Sequence, residues 1–301
     1  MTLRYRLALL VVATLAPLAV CAAVAAMMLM EQERAVVERD AIGRARSAMS
    51  AVDAHLRGTI LALRTLGASK NLESGDLAAF HAESQRALEG DPAWVNITLM
   101  GPRRTVLLNA VYAYGRPESP PPQNDSLEAT ANGTKVAIGG VRSGNVVRNP
   151  TVRVNVPVLV RSEPGYVLVA PMNMKHIGDV LQAQTLPESW TITLVDREQQ
   201  TIAALPQVPT GTAVSGGLRK TLQERPEGWT RIAADESATA YTAHVTSDLS
   251  GWILAIGVPQ SYVETGARRS LTVLLVGLLL SLAIGSVLAI RMVADAERTQ
   301  R

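Results

Sequence analysis

The sequence predicts an α+β chain in which one long helix leads into two small antiparallel-sheet modules, all set between two apolar spans. Three observations carry this. Uncharged apolar runs lie near both ends, Leu7 to Met30 and Leu271 to Ile290. After the first run, apolar residues recur every three or four positions. From Trp94 the period becomes two, in short runs parted by Gly, Pro, Asp and Asn.

The two runs come first. A helix of about 20 apolar residues spans the roughly 30 Å hydrocarbon core of a bilayer. Arg4 and Arg6 precede the first run, and Glu31, Glu33, Glu38 and Asp40 follow it. Basic residues stay on the cytoplasmic side, so the first helix is expected to run outward and the second back in. Residues 31–270 are then periplasmic and both termini cytoplasmic. A cleaved signal peptide ending at Ala23-Val24-Ala25 is the alternative for the first run, and a lipoprotein cysteine at Cys21 a third. Cys21 is the sole cysteine, which rules out an internal disulfide. In the second run, Gly277, Ser281 and Gly285 fall on one helix face, where a second copy could pack closely. The net charge is only +3 and no basic block occurs, so nucleic acid is not an expected partner.

Residues 31–72 contain no proline, and Met49, Val52, Leu56, Ile60 and Leu63 form one apolar stripe. This predicts a long stalk helix packed on its own domain. A shorter helix over Asp76 to Leu88 ends at Gly90-Asp91-Pro92. Strands are predicted at Trp94–Met100, Thr105–Asn109, Val136–Val141, Thr151–Val160 and Tyr166–Ala170. Arg142 to Asn145 and Glu163 to Gly165 are read as turns, and the proline-rich stretch 112–132 as a long loop. A weaker copy of the plan follows. It has a helix at Met174–Gln184, a hairpin at Trp190–Val195 and Thr201–Ala204, and a short helix near Leu218. Strands at Trp229–Ala233, Ala238–Val245 and Trp252–Val258 close it. The expected divisions are 1–30 anchor, 31–72 stalk, 73–186 membrane-distal module, 187–260 membrane-proximal module, 261–290 exit helix and second span, and 291–301 linker.

Three stretches, ITLMGPRRTVLLNA (97–110), TLVDREQQTIAA (193–204) and GWILAIGVP (251–259), form two hairpins and a closing strand. Together they resemble the double Cache (PDC-type) sensor domains of bacterial transmembrane receptors, most like those of sensor histidine kinases. The Asp-x-x-Gly turn usual in that family is absent from both hairpins, and no amino-acid-binding signature is present, so no ligand class carries over. The resemblance implies PAS-like (Cache) modules in a membrane-anchored periplasmic sensor. Such a sensor binds a small-molecule signal and passes it across the inner membrane to a two-component histidine kinase. A diguanylate cyclase or chemoreceptor is the alternative output. An envelope binding or scaffold protein without output, or an anchored hydrolase, are the remaining readings. The chain stops about a dozen residues past the second span, so the output is expected in a longer protein or a separate partner. A homodimer through the stalk and spans is the expected assembly.

Catalytic and cofactor signatures are missing from the sequence. His55, His81, His176 and His244 lack metal-site spacing, and no phosphate-binding glycine loop or GxSxG occurs. Neither catalytic residues, nor a metal, nor a cofactor are therefore assigned. The candidate ligand residues lie in the first module. Even-numbered valines of 151–160 are expected to face the long helix, leaving Arg153 and Asn155 on the opposite face. Tyr112, Tyr114 and Arg116 begin the long loop, and Arg142 lies on a neighbouring turn. Guanidinium groups can hold a carboxylate bidentately, and tyrosine offers an apolar plate with a polar tip.

Overall fold

The computed structural model describes residues 3–102, 105–116, 135–143, 150–214, 216–219, 225–235 and 238–263, with scattered positions between 272 and 291. The chain divides into two units, one of residues 1–40 and 259–301 and one of residues 41–258. The first unit holds the start of helix α1 (Leu3–Gly67), which continues through Pro17. Among the described residues no helix is long and apolar enough to cross a membrane. The side chains of 7–16 and much of 271–290, where the two spans are expected, lie outside those residues.

The second unit carries the α+β body. Within it α1 presents the predicted stripe. Met49, Val52, Leu56 and Leu63 are at most 3% exposed and Ile60 is buried, so the stripe packs on its own domain. Two short helices follow, α2 (Lys70–Ser74) and α3 (Leu77–Gly90). Each is started by a side-chain cap that satisfies a free backbone N–H: the Ser69 hydroxyl accepts from Asn71 N, and the Asp76 carboxylate from Ala79 N.

The distal sheet comprises β1 (Thr98–Met100), β2 (Val106–Asn109), β3 (Ala137–Ile138), β4 (Arg142–Ser143), β5 (Pro150–Val160) and β6 (Glu163–Asn173). Its order is β2-β1-β6-β5-β3, with β4 also on β5, and every recorded pairing is antiparallel. Val152, Val154 and Val156 share a face with Leu168, Ala170, Met172 and Leu99, all fully buried. The end of α1 lies on this face, since Gly67 abuts Val158 and Leu168. Burying each of the Val, Leu and Met side chains contributes about 1.5–3 kcal/mol.

The proximal sheet follows α4 (Met174–Gln182), capped by the Asn173 side chain on Lys175 N. Its strands are β7 (Thr191–Val195), β8 (Thr201–Leu205), β9 (Glu227–Asp235), β10 (Ala238–Thr246) and β11 (Ile253–Pro259), in the order β8-β7-β11-β10-β9. Ile192, Leu194, Leu254 and Ile256 are fully buried on one face. On the other, Val195, Ile253 and Ala255 are closed over by Val214 and Leu218. Three α1 side chains reach this module. Arg44 donates to Thr185 O and lies over the Trp190 ring. Arg46 Nε donates to Glu227 Oε2 at 2.8 Å, and the Ser247 hydroxyl donates to Asp53 Oδ1 at 2.7 Å.

Two predicted turns are corrected. Arg142 and Ser143 pair with Thr151 and Pro150 as a short strand rather than forming a turn. The β5–β6 turn sits at Arg161 and Ser162, both at positive φ, rather than at 163–165. Pro164 is tolerated within β6 because the ladder is irregular there, between Val158 and Val160.

Candidate functional site

The structure places the six sequence-predicted residues in two groups. Tyr112, Tyr114 and Arg116 follow β2, at one edge of the distal sheet. Arg142, Arg153 and Asn155 lie on β4 and β5, near the other. β1 and β6 separate the groups, a distance of about 14 Å at a strand spacing of about 4.8 Å.

The first group is built on α3. His81 Nε2 sits 2.8 Å from Tyr112 O and 3.3 Å from Asn109 O, so as a donor it pins the turn after β2. Its ring lies 5.7 Å from that of Tyr114. Arg116 stacks on Tyr112 at 4.5 Å, a cation–π contact within the group. His81, Asn109, Tyr114 and Arg116 are among the residues lining a cavity of about 340 Å³. A larger cavity, about 540 Å³, opens between the end of α1 and the β5–β6 hairpin, beside Arg64, Glu73 and Tyr166.

In the second group Arg153 and Asn155 are buried and Arg142 is half-buried. Thr151, Arg153 and Asn155 project from the sheet face opposite the valines and are at most 6% exposed. The registers Arg142↔Thr151 and Ala137↔Asn155 bring Arg142 and Ala137 to the same face. Its floor is Pro171 and Val169 of β6, paired with Arg153 and Asn155. Val169 also pairs with Thr98, so Thr98 shares the face. Asn96 donates to the Thr98 hydroxyl at 3.3 Å and joins them.

The charge balance of this face is unusual. The Arg153 side chain has no hydrogen bond or ion pair among the described residues. Burial holds its pKa below the ordinary arginine value, and the like charge of Arg142 adds to the effect. Among the described residues the Arg142 side chain has only a long ion pair, 3.8 Å to Glu198, and a bond to its neighbouring Val141 O. Asn96 is 4% exposed, and its Oδ1 has no hydrogen-bond partner among the described residues. A buried cation and a buried acceptor on one face, neither matched among the described residues, are complementary to an anion that also carries an N–H or O–H donor. Asn96 and Thr98 were not singled out in the sequence as site residues. The signal available was period two, since 96 and 98 share a face of the first strand. The loop residues 117–134 and 144–149 lie outside the described residues.

No protein-family model and no curated protein matches this chain. Solved structures do. The ligand-binding domain of Campylobacter jejuni chemoreceptor Tlp3, in complex with 4-methylisoleucine, matches at TM-score 0.61 and 8% identity, over 77% of this chain and 94% of that one. The ligand-binding domain of the Pseudomonas aeruginosa PAO1 amino acid chemoreceptor PctB, bound to L-Arg, matches at 0.56 and 15%, over 75% and 96%. An extracellular domain assigned to a histidine kinase, rpHK1S-Z16, matches at 0.57 and 12%, over 80% and 98%. The chain therefore shares the fold of these receptor sensor domains, two sheet modules on one long helix, consistent with the double Cache (PDC-type) resemblance of its sequence.

Proposed function

We propose that this chain is the periplasmic input of a two-span receptor of the bacterial inner membrane. It binds a small carboxylate bearing an amino or hydroxyl group on the distal sheet. The observation that carries the ligand class is the buried Arg153, which has no counter-charge among the described residues, with the Arg142 charge near it and Asn96 on the same face, across β6. Arg153 takes the carboxylate and Asn96 Oδ1 accepts from the donor. The sensor fold supports the role, and the amino-acid ligands of Tlp3 and PctB fit the chemistry. Binding favours one of two arrangements of the body. The change then passes along β11 and the exit helix into Leu271–Ile290, and through a homodimer to a histidine kinase output. The hydropathy of 7–30 and 271–290 supports both spans, and the divisions 31–72, 73–186 and 187–260 serve as stalk, sensing module and relay module.

Thermal-shift screening of the purified chain against small amino and hydroxy carboxylates tests this. At least one stabilising compound is expected. Its effect should vanish in Arg153→Met and persist in Tyr112→Ala. Removing a buried charge that no described residue compensates should also raise the stability of the unliganded Arg153→Met protein, by on the order of 1 kcal/mol. Binding unchanged in Arg153→Met would remove the site assignment.

A further inference from the structure

We propose that Arg142 is a two-position switch, holding Glu198 of the proximal β7–β8 turn in the empty protein and turning to the anion at Arg153 when ligand is bound. The inference rests on the anion-site reading above and assigns its regulation.

The segment between β3 and β4 is where the two sheets meet. Gly139 N donates to Arg153 O at 2.8 Å, fixing the segment to the ligand face. The next residues turn toward the proximal module. Val141 N donates to Asp196 Oδ2 at 2.8 Å, and Asp196 is fully buried. Its other oxygen accepts from Gln200 N, so one carboxylate closes the β7–β8 turn and holds the distal module. Gly140 allows this approach: a Cβ there would lie 2.6 Å from Asp196 Oδ2 and 2.5 Å from Glu198 Oε2.

Arg142 stands at the end of this bridge with two possible partners. Behind it is Glu198 at 3.8 Å, with both side chains about half exposed, a weak and breakable pair. Ahead is the ligand face. Arg142 pairs with Thr151, two residues from Arg153 on the same side of β5. Such diagonal neighbours are about 7–8 Å apart, within reach of a long side chain. In the empty protein like charge keeps the two guanidinium groups apart. A bound anion reverses that preference, and Glu198 then loses its cation.

The turn so released touches the elements that lead out of the module. Arg197 Nε donates to Ser250 O at 2.8 Å, just before β11, and packs on Gly251, which is at positive φ. In the same connection Ser247 holds Asp53 of α1. One turn therefore adjoins the ligand face, the last strand and the stalk helix.

Linkage makes the proposal testable without the natural ligand, because Glu198 and an anion compete for one side chain. The probe is sulfate, titrated against chloride at constant ionic strength with the full chain in detergent micelles. Thermal shift reads affinity, and hydrogen exchange reads the Val141 and Gln200 amides. Glu198→Gln should tighten sulfate about two- to five-fold, the range of an exposed ion pair. Arg142→Gln should weaken it, and the double variant should match Arg142→Gln alone. Sulfate should change exchange at Val141 and Gln200 in the parent but not in Arg142→Gln. If sulfate binds with Arg153 dependence but Glu198→Gln does not alter its affinity, the switch is overturned and the site stands. If no Arg153-dependent binding is seen, the site reading fails and the switch with it.

Discussion

The two sheets have the same architecture and opposite interiors. Each turns one face of fully buried aliphatic residues inward: Val154, Val156 and Leu168 in the distal sheet, Ile192, Leu194 and Leu254 in the proximal one. They differ on the second face. The proximal sheet covers Val195, Ile253 and Ala255 with its own Val214 and Leu218. The distal sheet does this only over its β1–β2–β6 half, where Met100, Val167 and Val169 meet Val106. Its β5 half carries Thr151, Arg153 and Asn155 instead. One scaffold thus yields a module apolar on both faces and one whose second face is half polar, and the difference resides in three alternate positions of one strand.

The contrast breaks most severely if the proximal face receives what the distal face already holds. Ala255→Arg puts a guanidinium among Val195, Ile253, Val214 and Leu218. With overpacking added to an uncompensated charge it should cost about 4 kcal/mol or more, read by urea denaturation. A loss below about 1 kcal/mol, within the ordinary scatter of surface substitutions, would mean that face is not sealed. A smaller effect separates the modules. Gly140→Ala forces its methyl against the buried Asp196 and should cost about 1–3 kcal/mol. Faster hydrogen exchange of the Val141 and Gln200 amides should accompany it, whereas Gly43→Ala, with open space around it, should have neither effect.

The smallest effect concerns the clamp of α1 on the proximal sheet. The Arg46 hydrogen bond lowers the Glu227 pKa. A depressed carboxylate pKa stabilises the fold above the unfolded-state value, near pH 4, and the benefit is lost as pH falls through the folded value. Arg46→Gln should therefore flatten a slight acid-side loss of stability below about pH 4 and change little at neutral pH. A parallel loss in both proteins would show that the pair adds nothing.

The strands were legible because valines alternate with polar residues in 151–160, and the α1 stripe because 49, 52, 56, 60 and 63 keep helical spacing. Both are local patterns. The β5–β6 turn was misplaced because Pro164 and Gly165 are stronger turn signals than Arg161 and Ser162, which nonetheless occupy the left-handed region. Arg142 looked like part of a turn because a two-residue strand has no period to read. Arg153 and Asn155 were legible as a polar face on an apolar strand. The Val141–Asp196 bond was not: it joins residues 55 apart, and an aspartate in a hairpin turn gives no sign of a distant donor.

The way α1 is shared limits how this domain could be re-engineered. Its 44–53 segment is fastened to the proximal module through Arg44, Arg46 and Asp53, and its Gly67 end to the distal sheet at Val158. A biosensor built by grafting a foreign sensing sheet at positions 73–186 would set new side chains against the native Gly67 end of α1. A working chimera must import its own C-terminal end of that helix, with the junction inside α1 rather than at the loop that follows it.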